Sequence, residues 1–133
     1  MIIALSISRI ADSIYARSAL DATTKGTDIP AALTRDRAEA LHRVISDVAA
    51  ETIATLGSSV LSTDLSDSDI ITIDYAISHA DAAVACLRTN IETAIVCATL
   101  ARITAAADLP LAQWYASLAR IADTSLPGRI ARC

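Results

Sequence analysis

Aromatic residues, glycine and histidine are all scarce in this sequence, and phenylalanine is absent. Because aromatic side chains line ligand pockets and dominate binding hot spots, their scarcity disfavours a small-molecule site. The three glycines are dispersed, so they cannot form a phosphate-binding loop. With two histidines, no convincing Ser-His-Asp or Cys-His-Asn set can be assembled. The four aromatic residues are Tyr15, Tyr75, Trp114 and Tyr115.

Two short patterns resemble parts of a metal or acid–base site. Glu39 and His42 have the Glu-x-x-His spacing of carboxylate-bridged metal sites, which also require a second such helix and two further carboxylates. His79 and Asp81 lie two residues apart near a predicted helix start, where side chains at that spacing point in different directions. We therefore predict no metal site, no cofactor and no enzymatic activity.

The sequence also lacks a long apolar run and a basic leader, although 53% of its residues are hydrophobic and its mean hydropathy is +0.46. The densest apolar stretch, residues 94–101, is far shorter than the roughly 20 residues of a membrane span. The apolar residues 1–5 have no basic segment before them, as a signal peptide would. A net charge of −4 disfavours nucleic-acid binding. We expect a soluble cytoplasmic protein that binds neither membrane nor nucleic acid.

The cysteines fit a reducing compartment. Cys86 and Cys97 lie in one predicted helix, about 16 Å apart at 1.5 Å rise per residue, which is beyond disulfide reach. We interpret both as buried thiols that act as small hydrophobic residues. Cys133 ends the sequence and is predicted to be exposed.

Apolar periodicity predicts a single domain, residues 1–133, containing four helices. The first helix should begin after Ser6 or Ser8 and fade near residues 21–24. One apolar stripe is formed by Ile3, Ile7, Ile10 and Ile14. The second helix should begin at an N-cap, Thr34, and end at Gly57. Its solvent-facing ladder consists of Glu39, Arg43, Asp47 and Glu51.

The two later helices differ in how apolar they are. The third, residues 79–106, has only a narrow polar stripe and should be the most buried. The fourth should be capped by Asp108 and stopped by residues 126–128, leaving a short basic tail at residues 125–133.

The segment between the second and third helices, residues 58–77, has a different character. Its β-branched runs, residues 60–61 and 70–75, flank a polar turn and predict a hairpin or an extended arm. A helix beginning near Asp69 is the alternative. We expect a mainly α, four-helix bundle-like fold with this arm outside the core. Recognition would then reside on the arm, and a linker replacing residues 61–73 would leave the helices intact.

Opposite charges are separated along the chain. Acidic residues without an intervening Lys or Arg occupy the middle, whereas basic residues dominate the C-terminus. Such poles could meet between neighbouring copies or on a partner, so we predict them as the interface. The candidate interface residues are Asp64, Asp67, Asp69, Asp74, Arg129 and Arg132.

The order of segments resembles a family of helical phage proteins. The segments are an Ile-rich helix over residues 2–20, a helix over residues 37–51, an acidic β-like segment up to Tyr75, and a helix from Ala76. In this order the chain is similar to head–tail connector (neck or adaptor) proteins of tailed bacteriophages and prophages.

The resemblance implies a virion component made in the host cytoplasm. It would assemble as a homo-oligomeric ring between portal and tail components, through shape and charge complementarity and without a chemical step. A ring requires two unlike surfaces that meet head to tail, and the acidic middle and basic tail would supply them. A small cytoplasmic helical binding or regulatory module remains the alternative.

Overall fold

A computed structural model describes residues 2–26, 37–57, 60–76, 81–105 and 108–132. For residues 125–132 only the backbone is described. In chain order the elements are β1 (Ile2–Ser6), α1 (Ile7–Lys25), α2 (Ala38–Ala54), β2 (Val60–Asp64), β3 (Ile70–Tyr75), α3 (Asp81–Thr104) and α4 (Leu109–Arg132).

The predicted four-helix bundle-like fold is wrong, because the described chain contains a three-stranded antiparallel sheet of order β1-β3-β2. The described part of the chain is mixed α/β, although mainly helical. The sequence analysis assigned Ile3 to the apolar stripe of the first helix, but the structure places it in the strand β1. The side chains of β1 alternate between solvent and core. Ile2 is 59% exposed, whereas Ile3 and Leu5 are fully buried. This two-residue period defines a strand, and the Ile3–Ile7 spacing that suggested a helix is a coincidence.

The start of α1 agrees with the sequence. Ser6 is its N-cap, and its side chain accepts a hydrogen bond from the Arg9 backbone N–H at 3.3 Å. Ile7, Ile10 and Ile14 then form the buried stripe of the helix. The chain therefore passes from strand to helix at one serine, and the prediction that α1 begins after Ser6 is confirmed.

The hairpin prediction is confirmed, but the peripheral arm and the alternative helix near Asp69 are both wrong. β2 pairs with β3, with an irregularity between Val60 and Ser62. β3 is the central strand, and Ile71, Ile73 and Tyr75 on its inner face are buried in the core. Replacing residues 61–73 by a linker would therefore remove part of the core, contrary to the expectation from the sequence.

Helix α3 is the centre of the helical layer, as predicted. It packs against α1, α2, α4 and β1, and its buried residues include Leu87, Ile91, Ile95 and Leu100. By length and composition alone, residues Val84–Thr104 could also cross a membrane, and 44% of that window is buried inside the protein. Packing on four other elements is a sufficient reason for this composition.

The other helices depart from the sequence analysis in detail. α2 begins at Ala38, and Thr34 lies outside the described residues. The ladder on α2 is exposed, and its last member, Glu51, binds Arg102 of α3 at 2.7 Å. α4 continues to Arg132, so residues 126–128 do not stop it.

The cysteine interpretation is half right. Cys97 is a buried free thiol on α3, as expected. Cys86 is exposed and disulfide-bonded, so its interpretation as a buried thiol is wrong.

Candidate interaction surface

The described residues contain no group of three or more His, Cys, Asp or Glu side chains that could hold a metal ion. Glu39 points to solvent on α2, one turn from the partly buried His42. His79, the other histidine singled out by the sequence, lies outside the described residues.

The β2–β3 turn is built by its own aspartates. Asp64 Oδ1 accepts hydrogen bonds from the backbone N–H and the hydroxyl of Ser66, at 2.9 and 2.6 Å. Asp67 Oδ1 accepts from the N–H groups of Asp69 and Ile70, at 2.8 and 3.2 Å. These bonds satisfy turn amides that no strand partner reaches. The predicted interface residues Asp64 and Asp67 thus also shape the hairpin.

Asp69 fastens the hairpin to the start of α1. Its Oδ1 accepts from the backbone N–H and the hydroxyl of Ser8, at 3.0 and 2.6 Å, and its Oδ2 lies 3.4 Å from the Ser6 hydroxyl. Its backbone carbonyl accepts from the Ile7 N–H at 2.7 Å. A carboxylate at a helix N-terminus also complements the positive end of the helix dipole. Asp69 is therefore a structural residue as well as part of the acidic pole.

Hydrogen bonding keeps two of these carboxylates ionised. The Ser66 hydroxyl and N–H lower the pKa of Asp64, and the Ser8 hydroxyl and N–H lower the pKa of Asp69. Each bond favours the charged form of the carboxylate over the neutral form. Asp64 and Asp69 therefore keep their charge to a lower pH than an ordinary aspartate does.

The structure places the remaining predicted interface residues elsewhere. Asp74 lies on the outer face of β3, between Ile2 of β1 and Ser62 of β2 in register. Arg129 and Arg132 lie three residues apart in the last turn of α4. The predicted acidic interface residues therefore lie on the hairpin, whereas the two predicted arginines lie on α4.

A groove of about 370 Å³ separates the end of α2 from β2. Apolar and small side chains line most of it, and the hairpin supplies two leucines, Leu61 and Leu65, that are 65% and 50% exposed. From α2 come the exposed alanines Ala50 and Ala54, beside the buried Ile53. Sequence reasoning missed this groove because no residue type marks it; it arises where a helix and an edge strand diverge.

β2 is an edge strand. It pairs with β3 along one side, and no strand pairs with its other side in the described parts of the chain. Its residues from Leu61 to Asp64 are all exposed. An unpaired strand edge presents N–H and C=O groups that can bond another chain. The acidic turn, the groove and this edge together form the surface that we call the hairpin face.

A second cluster, which the sequence did not reveal, joins α1 to α4. The Tyr115 hydroxyl donates to Asp21, whose Oδ2 also accepts from Arg17 Nε at 3.1 Å. The Arg17 guanidinium lies 5.6 Å from the centre of the Trp114 ring, within cation–π range. Burial and the Asp21 carboxylate raise the pKa of Tyr115. Trp114 is 36% exposed and Tyr115 is 1% exposed, so this cluster stabilises the packing of α1 on α4.

A polar groove of about 370 Å³ also lies outside the hairpin face, between α1 and α3. Arg9 approaches Glu92 at 3.7 Å there, and Glu92 Oε1 is buried without a hydrogen-bond partner. A single ion pair at this distance does not indicate which ligand the groove would bind, so we assign the groove no function.

Comparison with known proteins provides no assignment: no family model, curated protein or solved structure matches the chain.

Proposed function

We propose that this chain is a non-catalytic assembly subunit that binds neighbouring protein chains through its hairpin face. The observation that carries the proposal is that exposed apolar side chains, an open strand edge and four aspartates lie together on β2, β3 and their turn. These aspartates are Asp64, Asp67, Asp69 and Asp74. Between Arg43 and Arg88 the sequence holds no lysine or arginine. It holds seven acidic residues there: Asp47, Glu51, Asp64, Asp67, Asp69, Asp74 and Asp81.

The setting that we propose is the head–tail connector of a tailed phage. There the chain would form a ring in the virion, after synthesis in the host cytoplasm, and would contact portal or tail components. A ring needs two unlike surfaces on each copy. The acidic hairpin of one copy would meet the last turn of α4, with Arg129 and Arg132, of the next. The sequence resemblance motivates this setting, and the charge separation is compatible with it.

Sedimentation velocity over a range of protein and salt concentrations tests the proposal. Asp64→Asn with Asp67→Asn removes two charges, while each asparagine keeps the Oδ1 acceptor that the turn uses. A double variant of exposed carboxylates, Asp12→Asn with Glu39→Gln, changes net charge equally and is the matched control. We expect wild type and control to associate, with association weakening as salt screens the charges. The hairpin variant should stay monomeric.

The arginines provide the second half of the test. Arg129→Glu with Arg132→Glu should abolish self-association as fully as the hairpin variant does. If association persists in both charge variants, the charged poles do not form the interface. If the wild-type chain is monomeric at every protein and salt concentration, the proposed ring is wrong. That result would favour the alternative, a small cytoplasmic module that binds a different protein.

A further inference from the structure

We infer that β2 and the adjoining groove bind an extended segment of a different protein, one in which apolar side chains alternate with Lys or Arg. The segment would add to the sheet as a fourth strand beside β2. This inference rests on the proposed function only in taking the hairpin face as a partner-binding surface. It does not require the ring.

The open edge of β2 supplies the backbone partner for such a segment. Natural edge strands are commonly protected by lysine, proline or a bulge. The sequence of β2, Val-Leu-Ser-Thr-Asp, contains neither lysine nor proline. Its irregularity lies at the start, between Val60 and Ser62, and residues Ser62–Asp64 return to a regular register. Alternate residues of this stretch therefore present backbone N–H and C=O groups along the free edge, where an added strand can pair with them.

The groove determines what the added strand must carry on its inner side. Thr63 is paired with Ile73, whose side chain is buried against the helices, so the inner face of β2 continues toward α2. A neighbouring strand would place every second side chain over Ala50 and Ala54. Apolar side chains fit there, because those alanines and the exposed Leu61 present apolar surface.

The outer side of the added strand would meet negative charge. Ser62 and Asp64 lie on the outer face of β2, opposite Asp74 and Thr72 of β3. Lysine or arginine at alternate positions would complement these carboxylates. The strands of a second copy could not complement these carboxylates, since the sequences of β1, β2 and β3 contain no lysine or arginine. The three strands of this chain are thus excluded as occupants, and the occupant that we infer is a basic, alternating segment of a different protein.

A titration of isotope-labelled full-length protein, followed by NMR amide shifts, tests the inference. The probe is a capped hexapeptide that alternates arginine and valine. One control peptide has the same sequence with every amide N-methylated, which keeps the charge and removes every strand hydrogen bond that the peptide would donate. Another has the same composition in blocks, three arginines and then three valines. Two protein variants, Leu61→Lys in the hairpin and Leu109→Lys on α4, alter leucines of similar exposure, 65% and 61%.

The alternating peptide should shift the amides of β2 and those of Ala50 and Ala54. N-methylation should weaken binding on the order of tenfold, because the peptide loses its strand donors, each worth about 1 kcal/mol, and its methyl groups obstruct the strand edge. Leu61→Lys should weaken binding and Leu109→Lys should not. Equal affinity of the N-methylated peptide would reduce the effect to charge attraction and overturn the inference, as would no shift at millimolar peptide. Either negative result leaves the proposed assembly standing if sedimentation still shows charge-dependent association.

Discussion

Truncating the central strand provides the sharpest test of how the hairpin relates to the core. Ile73 of β3 is fully buried and pairs with Ile3 of β1, which is also fully buried. Ile73→Ala removes three methyl or methylene carbons from the middle of the core and should lower the free energy of unfolding by about 2–5 kcal/mol. For a chain of this size, a loss of 3 kcal/mol lowers the melting temperature by roughly 10 °C.

The same sheet provides a matched control. Ile2 is adjacent to Ile3 but faces outward and is 59% exposed, so Ile2→Ala should change stability by less than about 0.5 kcal/mol. Urea unfolding followed by circular dichroism would measure both variants, and Ile3→Ala should behave like Ile73→Ala. If Ile73→Ala costs less than about 1 kcal/mol, the hairpin is a peripheral arm after all, and the packing described for β3 is wrong.

Two further predictions concern the polar contacts. Asp69→Asn should lower the melting temperature at pH 7, because it weakens the bonds to Ser8 and Ser6. Since the pKa of Asp69 is lowered on folding, the charged carboxylate stabilises the fold at pH values above 3.8, the ordinary pKa of an aspartate. That stabilisation is lost as the pH falls through the folded pKa, so thermal melts of variant and wild type should converge below about pH 3.8. Convergence only above pH 7 would refute this reasoning. Tyr115→Phe should cost about 1 kcal/mol by removing the hydrogen bond to Asp21, and urea unfolding would measure it. The Tyr115 phenol, with its raised pKa, should ionise only well above pH 10 in a difference titration at 295 nm; normal ionisation near pH 10 would contradict its burial beside Asp21.

Local signals in the sequence located most elements but not how they combine. Serine at position 6 and the isoleucines that follow specify the start of α1 through capping and a helical period. The β-branched run 70–75 and the aspartate-rich turn specify the hairpin. β1 was missed because five residues are too few to separate a two-residue period from a helical one. Its pairing with β3 joins residues about 70 positions apart, which no local pattern encodes.

The candidate surface was predictable only in part. The acidic run in the sequence identified the hairpin carboxylates, but their roles in the turn and at the α1 start depend on hydrogen bonds with specific geometry. The groove beside β2 depends on the distance between α2 and the sheet, which is set by tertiary packing. The arginines of α4 were identified by charge alone, and their placement in a helix follows from α4 extending past Pro127.

Hydrogen exchange read by mass spectrometry would show whether the hairpin face binds protein. The wild-type protein is compared at low and high concentration. At concentrations where the chain associates, amides of residues 60–67 should gain protection, because the edge and turn become covered. The exposed start of α4, around Leu109, should exchange at the same rate in both states. Protection confined to α3 and α4, with no change in residues 60–67, would contradict the claim.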